Sequence, residues 1–151
     1  MASRIPSVFL DSSALIAAAI SSRGSARDLI NHGLQGTCTL VISSDVIEEC
    51  ERNLTAKAPR ALPLFAAFVA LLSHRVEPTK AAVHTVAETI EAKDAPIVAA
   101  AIAAKASFLA TYDRKHLLAK SAEIGERFGI TVATPDEILT ALGLENVLSE
   151  N

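Results

Sequence analysis

The sequence contains no tryptophan, and aromatic residues make up only 4% of it although half of its residues are hydrophobic. A core of that composition must be assembled from Ala, Val, Ile and Leu, which suits helices packed closely on a sheet. Cysteine is equally scarce: Cys38 and Cys50 show no Cys-x-x-Cys spacing and read as reduced, buried small side chains. Positive charge is not in surplus either, with 14 basic against 17 acidic side chains and a formal charge of −3. That balance is unusual for a protein that grips nucleic acid by bulk charge alone. Were four of the acids committed to metal ions, the balance would become +1, so net charge neither requires nor forbids a phosphate-bearing substrate.

At 21% charged residues, the chain is neither a disordered polyelectrolyte nor a membrane span. Arg4 followed by the apolar stretch 8–20 imitates a secretory leader, but Asp11 interrupts it, and an apolar leader core should not carry a carboxylate. The expected location is therefore the cytoplasm. Several catalytic signatures are missing as well. There is no G-x-S-x-G elbow, no P-loop and no G-x-G-x-x-G. A phosphatase with an aspartate nucleophile would show Asp-x-Asp, whereas Asp11 is followed by Ser12 and Ser13. A phosphoacceptor receiver domain would show paired acids there and a lysine after its last strand, where this chain has Thr134 and Pro135.

What is present is an alternation of short apolar runs with helical stretches along 151 residues, a length suited to one domain spanning 1–151. Strands are expected at 5–10, 37–42, 75–78, 107–112 and 130–133. Helices are expected at 14–20, 26–34, 43–54, 64–73, 80–90, 97–106, 114–120 and 135–142, with Pro59 and Pro63 marking a loop. This is the pattern of an α/β fold, a three-layer α/β/α sandwich with a mainly parallel central sheet.

Two aspartates, Asp11 and Asp113, follow apolar strands directly. In a parallel sheet the strand carboxyl ends share one edge, where ligand sites gather, so these two can be neighbours despite their distance along the chain. Asp94 heads the helix before the Asp113 strand, and sequence alone does not force it to the same edge. A plainer explanation competes, because Asp11, Asp94 and Asp113 each precede a helical stretch and aspartate is a favoured N-cap. A mid-helix glutamate cannot be a cap. On helix 43–54, Val46, Ile47, Cys50 and Leu54 form the apolar arc. Glu49 lies about 115° from its centre and Glu48 about 145°, so Glu49 borders the buried face more closely.

The blocks VFLDSSALIAA, SSDVIEECERNL and KDAPIVAAAIAAKASFLATYDRKHLL resemble, in order, the three motif blocks of PIN-domain nucleases, in a framework that covers nearly the whole chain. The resemblance assigns the family's four acids to Asp11, Glu49, Asp94 and Asp113, as catalytic metal ligands. It sets Ser13 two residues beyond the first Asp and Thr111 two residues before the last, as supporting hydroxyls. Some relatives carry a further acid after the last Asp, where this chain has Arg114, Lys115 and His116, which could meet substrate phosphates but read more simply as a solvated basic helix end.

Phosphodiester hydrolysis needs an activated water and relief of charge on the phosphate and leaving oxygen, and divalent cations supply both. Carboxylates and hydroxyls without His or Cys suit hard Mg²⁺ or Mn²⁺ rather than zinc. The resemblance thus implies a Mg²⁺- or Mn²⁺-dependent endoribonuclease. Small proteins of this kind are often toxin components similar to VapC, with an RNA substrate, an antitoxin partner and a homodimeric assembly, and no membrane association. The rival from another class is a PIN-like module that binds RNA or protein without cleaving. Four carboxylates in one metal-free pocket should also repel one another and raise at least one pKa.

Overall fold

Short β-branched and apolar runs that end in polar turns build the sheet. In the computed structural model, which describes residues 5–72 and 74–144, five strands are present among the described residues. They are β1 (Ser7–Leu10), β2 (Thr39–Ile42), β3 (His74–Arg75), β4 (Phe108–Ala110) and β5 (Thr131–Ala133). They form one sheet in the order β3-β2-β1-β4-β5, and each neighbouring pair is parallel. Parallel strands need helical crossovers, which cover the sheet's faces. Accordingly Val8, Phe9, Leu10, Leu40, Val41, Ile42, Leu109 and Ala110 are all buried, odd and even positions alike.

The covering helices are α1 (Ser12–Ile20), α2 (Ser25–Gln35), α3 (Ser44–Lys57), α4 (Leu62–Leu71), α5 (Lys80–Ala87), α6 (Ala95–Ala103), α7 (Ser121–Phe128) and α8 (Pro135–Ala141). The result is the three-layer α/β/α sandwich expected from the alternation. Small residues replace the missing aromatics in its core: Ala95, Val98, Ala99, Ala100 and Ala101 of α6 are all essentially inaccessible. Among the described residues no helix is long and apolar enough to cross a membrane.

Three expectations need correction. Residues 114–120 do not form an α-helix; they form turns and a 3₁₀ turn at Leu118–Lys120. Asp113 organises them, its Oδ1 accepting from the His116 N–H at 3.2 Å and its carbonyl from the Leu118 N–H at 2.9 Å. The helix follows instead as α7, whose one fully buried residue, Ile124, leaves too thin an apolar periodicity to read. The expected strand 75–78 is reduced to β3, because beyond it only the Val76 N–H still reaches the ladder, at 3.0 Å from the Ile42 carbonyl. Pro78 could not have donated. Pro63, taken as a loop marker, lies in the first turn of α4, where a missing N–H costs nothing. The far end of the helix expected at 64–73 includes Ser73, which lies outside the described residues.

Helix α2 approaches the sheet so closely at Gly33 that an added Cβ would overlap the Leu40 side chain. Gly125, inside α7, has open space by comparison, its nearest obstacle being the Ile130 carbonyl at 3.6 Å. Gly33→Ala is therefore expected to destabilise the protein by about 1–2 kcal/mol through overpacking of Leu40. Gly125→Ala should stabilise it by roughly 0.5–1 kcal/mol through helix propensity. Urea denaturation of the pair checks both signs, and equal shifts in the two variants would contradict the packing described.

Candidate active site

Strand register creates the first contact of the site. Leu10 of β1 pairs with Ala110 of β4, and the ladder runs one step further, the Asp11 N–H donating to the Ala110 carbonyl at 3.0 Å. Asp11 and Thr111 therefore leave the sheet side by side. Both are buried, and the Thr111 hydroxyl donates to Asp11 Oδ2 at 2.7 Å. Ser13, in the first turn of α1, donates to the same oxygen at 3.0 Å. Each hydroxyl has one proton, so both are committed to Asp11, and the 3.2 Å approach between the two oxygens carries none. One lone pair of each is used as well. Ser13 Oγ accepts from the Tyr112 N–H at 2.9 Å, and Thr111 Oγ1 accepts from the Asp113 N–H at 3.0 Å. This arrangement fixes Oδ2 and leaves Oδ1 with only a 3.5 Å approach from Ser12 Oγ.

The capping explanation fails for two of the three aspartates. Asp11 and Asp94 occupy the N-cap positions of α1 and α6, and neither side chain makes a capping hydrogen bond. Asp113 does satisfy a backbone donor, that of His116. Glu49 is placed by α3, whose N-terminus is capped by Ser43 Oγ accepting from Val46 N–H at 3.4 Å. The apolar face of α3 is buried through Val46, Cys50 and Leu54, and the Cys50 thiol approaches the Ser12 carbonyl at 3.7 Å. That packing brings Glu49 over the start of α1.

Asp11, Glu49, Asp94 and Asp113 line one cavity of about 400 Å³, together with Ser12, Ser13, Lys93, Ile97 and Leu117. Glu48 is not among the lining residues, which separates the two glutamates that the helical arc distinguished only by degree. Thr111 lies beneath the cavity, fully buried. Sequence reasoning missed Lys93 and Ser12, although both adjoin a motif aspartate. It also took His116 for part of a solvated helix end, whereas its ring contacts Asp113 Oδ1 at 3.3 Å.

Burial, more than repulsion, dominates the electrostatics. The Asp94 carboxyl is raised above its ordinary range chiefly by desolvation. Lys93 and His116 oppose that shift, and Asp113 and Glu91 add to it. The Cys50 thiol is pushed far up, first by burial and then by the charges of Glu49, Asp11 and Glu51. Burial likewise pushes Cys38 up to about 11. Both cysteines are free and buried, without the thiolate character that reactivity requires.

The donor set fits a hard divalent cation, being carboxylate and hydroxyl oxygen without sulfur. Among the described residues, no three His, Cys, Asp or Glu side chains are grouped closely enough to chelate one ion.

A family model described as PIN domain matches residues 7–115. Among solved structures, the chain is similar to PAE2754 from Pyrobaculum aerophilum, at 19% identity and a TM-score of 0.64, over 92% of this chain and 90% of that one. At that identity the likeness is one of fold. No curated protein matches.

Two consequences follow for the folded chain. Thr111→Val removes a donor to Asp11 and strands the Asp113 N–H, and should cost about 1–3 kcal/mol in chemical denaturation; unchanged stability would contradict the network. For Asp94, the folded carboxyl binds its proton more tightly than the ordinary value of 3.8 allows in the unfolded chain. Its ionisation therefore lowers stability as pH rises through that window. In chelator at neutral pH, Asp94→Asn should raise the melting temperature, and the gain should shrink as pH falls towards 3.8. A sharp drop in melting temperature at neutral pH would refute this.

Proposed function

Because the chain belongs to the PIN-domain nuclease family, we propose that it is a metal-dependent endoribonuclease, one such domain across 1–151, working at the cavity lined by Asp11, Glu49, Asp94 and Asp113. One observation carries this reading: Asp11 and Asp94 stand where caps stand and cap nothing. Two hydroxyls are meanwhile spent on aiming Asp11. Carboxylates held in place without a structural duty are what a cation site requires.

Bound Mg²⁺ or Mn²⁺ would supply an activated water and neutralise charge developing on the phosphate and the leaving oxygen. The protein's own part is orientation. Asp11 would offer Oδ1, since Oδ2 is saturated by Ser13 and Thr111. Asp113 is tied to that network through its N–H on Thr111, so the two strand-end aspartates would move as one unit. Glu49 and Asp94 would complete the ring from α3 and α6. Ile97 and Leu117 form the apolar part of the wall, which limits water around the reacting phosphate.

We read the chain further as the toxin component of a toxin–antitoxin pair, VapC-like and homodimeric, because small proteins with these motifs commonly are. The antitoxin would lay a segment over the groove and set a basic side chain among the acids. The competing reading is an RNA- or protein-binding module that does not cleave.

Incubation with single-stranded and structured RNA in Mg²⁺ or Mn²⁺ should yield cleavage that EDTA abolishes. Asp11→Asn should reduce it about 100-fold or more, the upper end of what loss of even an outer-shell partner costs a metal site. Cleavage surviving both controls would remove the site from this cavity. Mn²⁺ at roughly 100 times its dissociation constant should add about 2.7 kcal/mol of stability. No thermal shift at millimolar metal would favour the binding module.

A further inference from the structure

We propose that Lys93 binds a backbone phosphate of the RNA strand and that His116 is the positioning residue that keeps its ammonium free to do so; this rests on the ribonuclease reading above. Lys93 directly precedes Asp94, is exposed, and is the one basic side chain lining the acidic cavity. An ammonium beside several carboxylates is expected to collapse onto one of them. It does not here. The contacts of ion-pair length among the described residues are Lys120 with Glu123, Arg127 with Glu123 and His116 with Asp113, the last an ion pair only when the imidazole is protonated, and Lys93 is in none of them.

What holds Lys93 is His116, whose Nε2 lies 2.9 Å from the ammonium and whose Nδ1 lies 3.2 Å from it. The same ring places Nδ1 at 3.3 Å from Asp113 Oδ1, and the His116 backbone N–H donates to that oxygen at 3.2 Å. One tautomer satisfies both sides: Nδ1–H donates to Asp113, and the Nε2 lone pair accepts from Lys93. A carboxylate–histidine–lysine chain results. The imidazole is a spacer that anchors the ammonium without neutralising it against a carboxylate. An ammonium has three donors, and His116 occupies one.

The chemistry that matches two free N–H donors and a positive charge held in no ion pair, at the wall of a site for phosphodiester hydrolysis, is a non-bridging phosphate oxygen. A ring of acids alone would repel the strand that it must receive. With a net charge of −3 the protein as a whole offers no compensating attraction, so local cations must provide it. Lys115 and Lys120 share a recess with Glu91, Asp94 and His116 next to the cavity, and Lys120 is there paired with Glu123, so Lys93 remains the basic side chain that lines the cavity itself.

A short fluorescent single-stranded RNA, titrated by anisotropy in EDTA so that nothing is cleaved, tests the assignment across a salt series. Lys93→Gln should weaken binding about three- to fivefold at low salt, as loss of one exposed charge contact does. It should also flatten the slope of log affinity against log salt by about 0.7, one single-strand phosphate contact. Lys93→Arg should keep both values. His116→Ala should weaken binding in the wild-type background and add nothing in the Lys93→Gln background, the signature of two residues acting through one contact. Wild-type affinity and slope in Lys93→Gln would overturn the proposal. A lower melting temperature with unchanged binding would do the same, by making Lys93 a counter-charge for Asp94. Failure of the wild-type chain to bind RNA at the lowest salt would overturn this inference, whereas the ribonuclease reading itself falls only if RNA is not cleaved in Mg²⁺ or Mn²⁺.

Discussion

Two hydroxyl protons directed at one carboxylate oxygen set the terms for everything around them. Thr111 and Ser13 both donate to Asp11 Oδ2, and each takes a backbone N–H in return, one from Asp113 and one from Tyr112. This is possible only because β1 and β4 are in the register that makes Leu10 and Ala110 partners. A slip of one residue would turn Asp11 and Thr111 to opposite faces and leave a buried carboxylate unpaired. The sheet's register, the buried charge and the position of Asp113 are therefore one constraint.

That constraint also explains how a small-residue core serves the site. Helices α1, α3 and α6 must bring their polar edges to the same sheet edge as Asp11. Alanine-rich faces let α6 sit close enough for Asp94 to line the cavity that Asp11 lines. Cys50, beside Glu49, fills the gap between α3 and the start of α1 as a small hydrophobe, and burial keeps its thiol protonated. Burying an acid at that edge has an electrostatic cost, visible at Asp94, whose carboxyl is raised chiefly by desolvation. Lys93 and His116 offset part of it, and His116 does so while its ring touches Asp113 Oδ1.

Much of this was legible from the chain. Apolar runs of strand length alternating with helical stretches pointed to a mainly parallel sheet, and the two runs followed by aspartate to Asp11 and Asp113 at one edge; the strand order came only with the structure. Glu49 was distinguishable from Glu48 only by some tens of degrees on a helical wheel, and packing of Cys50 against Ser12 made the distinction geometric. The stretch from Arg114 to Phe128 was misread for a physical reason. Side-chain and backbone acceptors of Asp113 override helix propensity in its first half, and a single buried residue, Ile124, hides the helix in its second. Lys93 gave no sequence signal beyond its place next to Asp94. Its significance lies in a hydrogen bond to a ring far along the chain, which no local pattern encodes.

The central claim is that Asp11, Glu49, Asp94 and Asp113 act as one cation site. Paramagnetic broadening by Mn²⁺ tests it without reference to substrate. In a titration followed by amide NMR, the account predicts early and selective loss of the signals of Asp11, Ser12, Glu49, Asp94, Ala95 and Asp113. Broadening centred elsewhere, for instance around Asp45, Glu77 and His84 in the neighbouring groove, or none that singles out these amides, would contradict it.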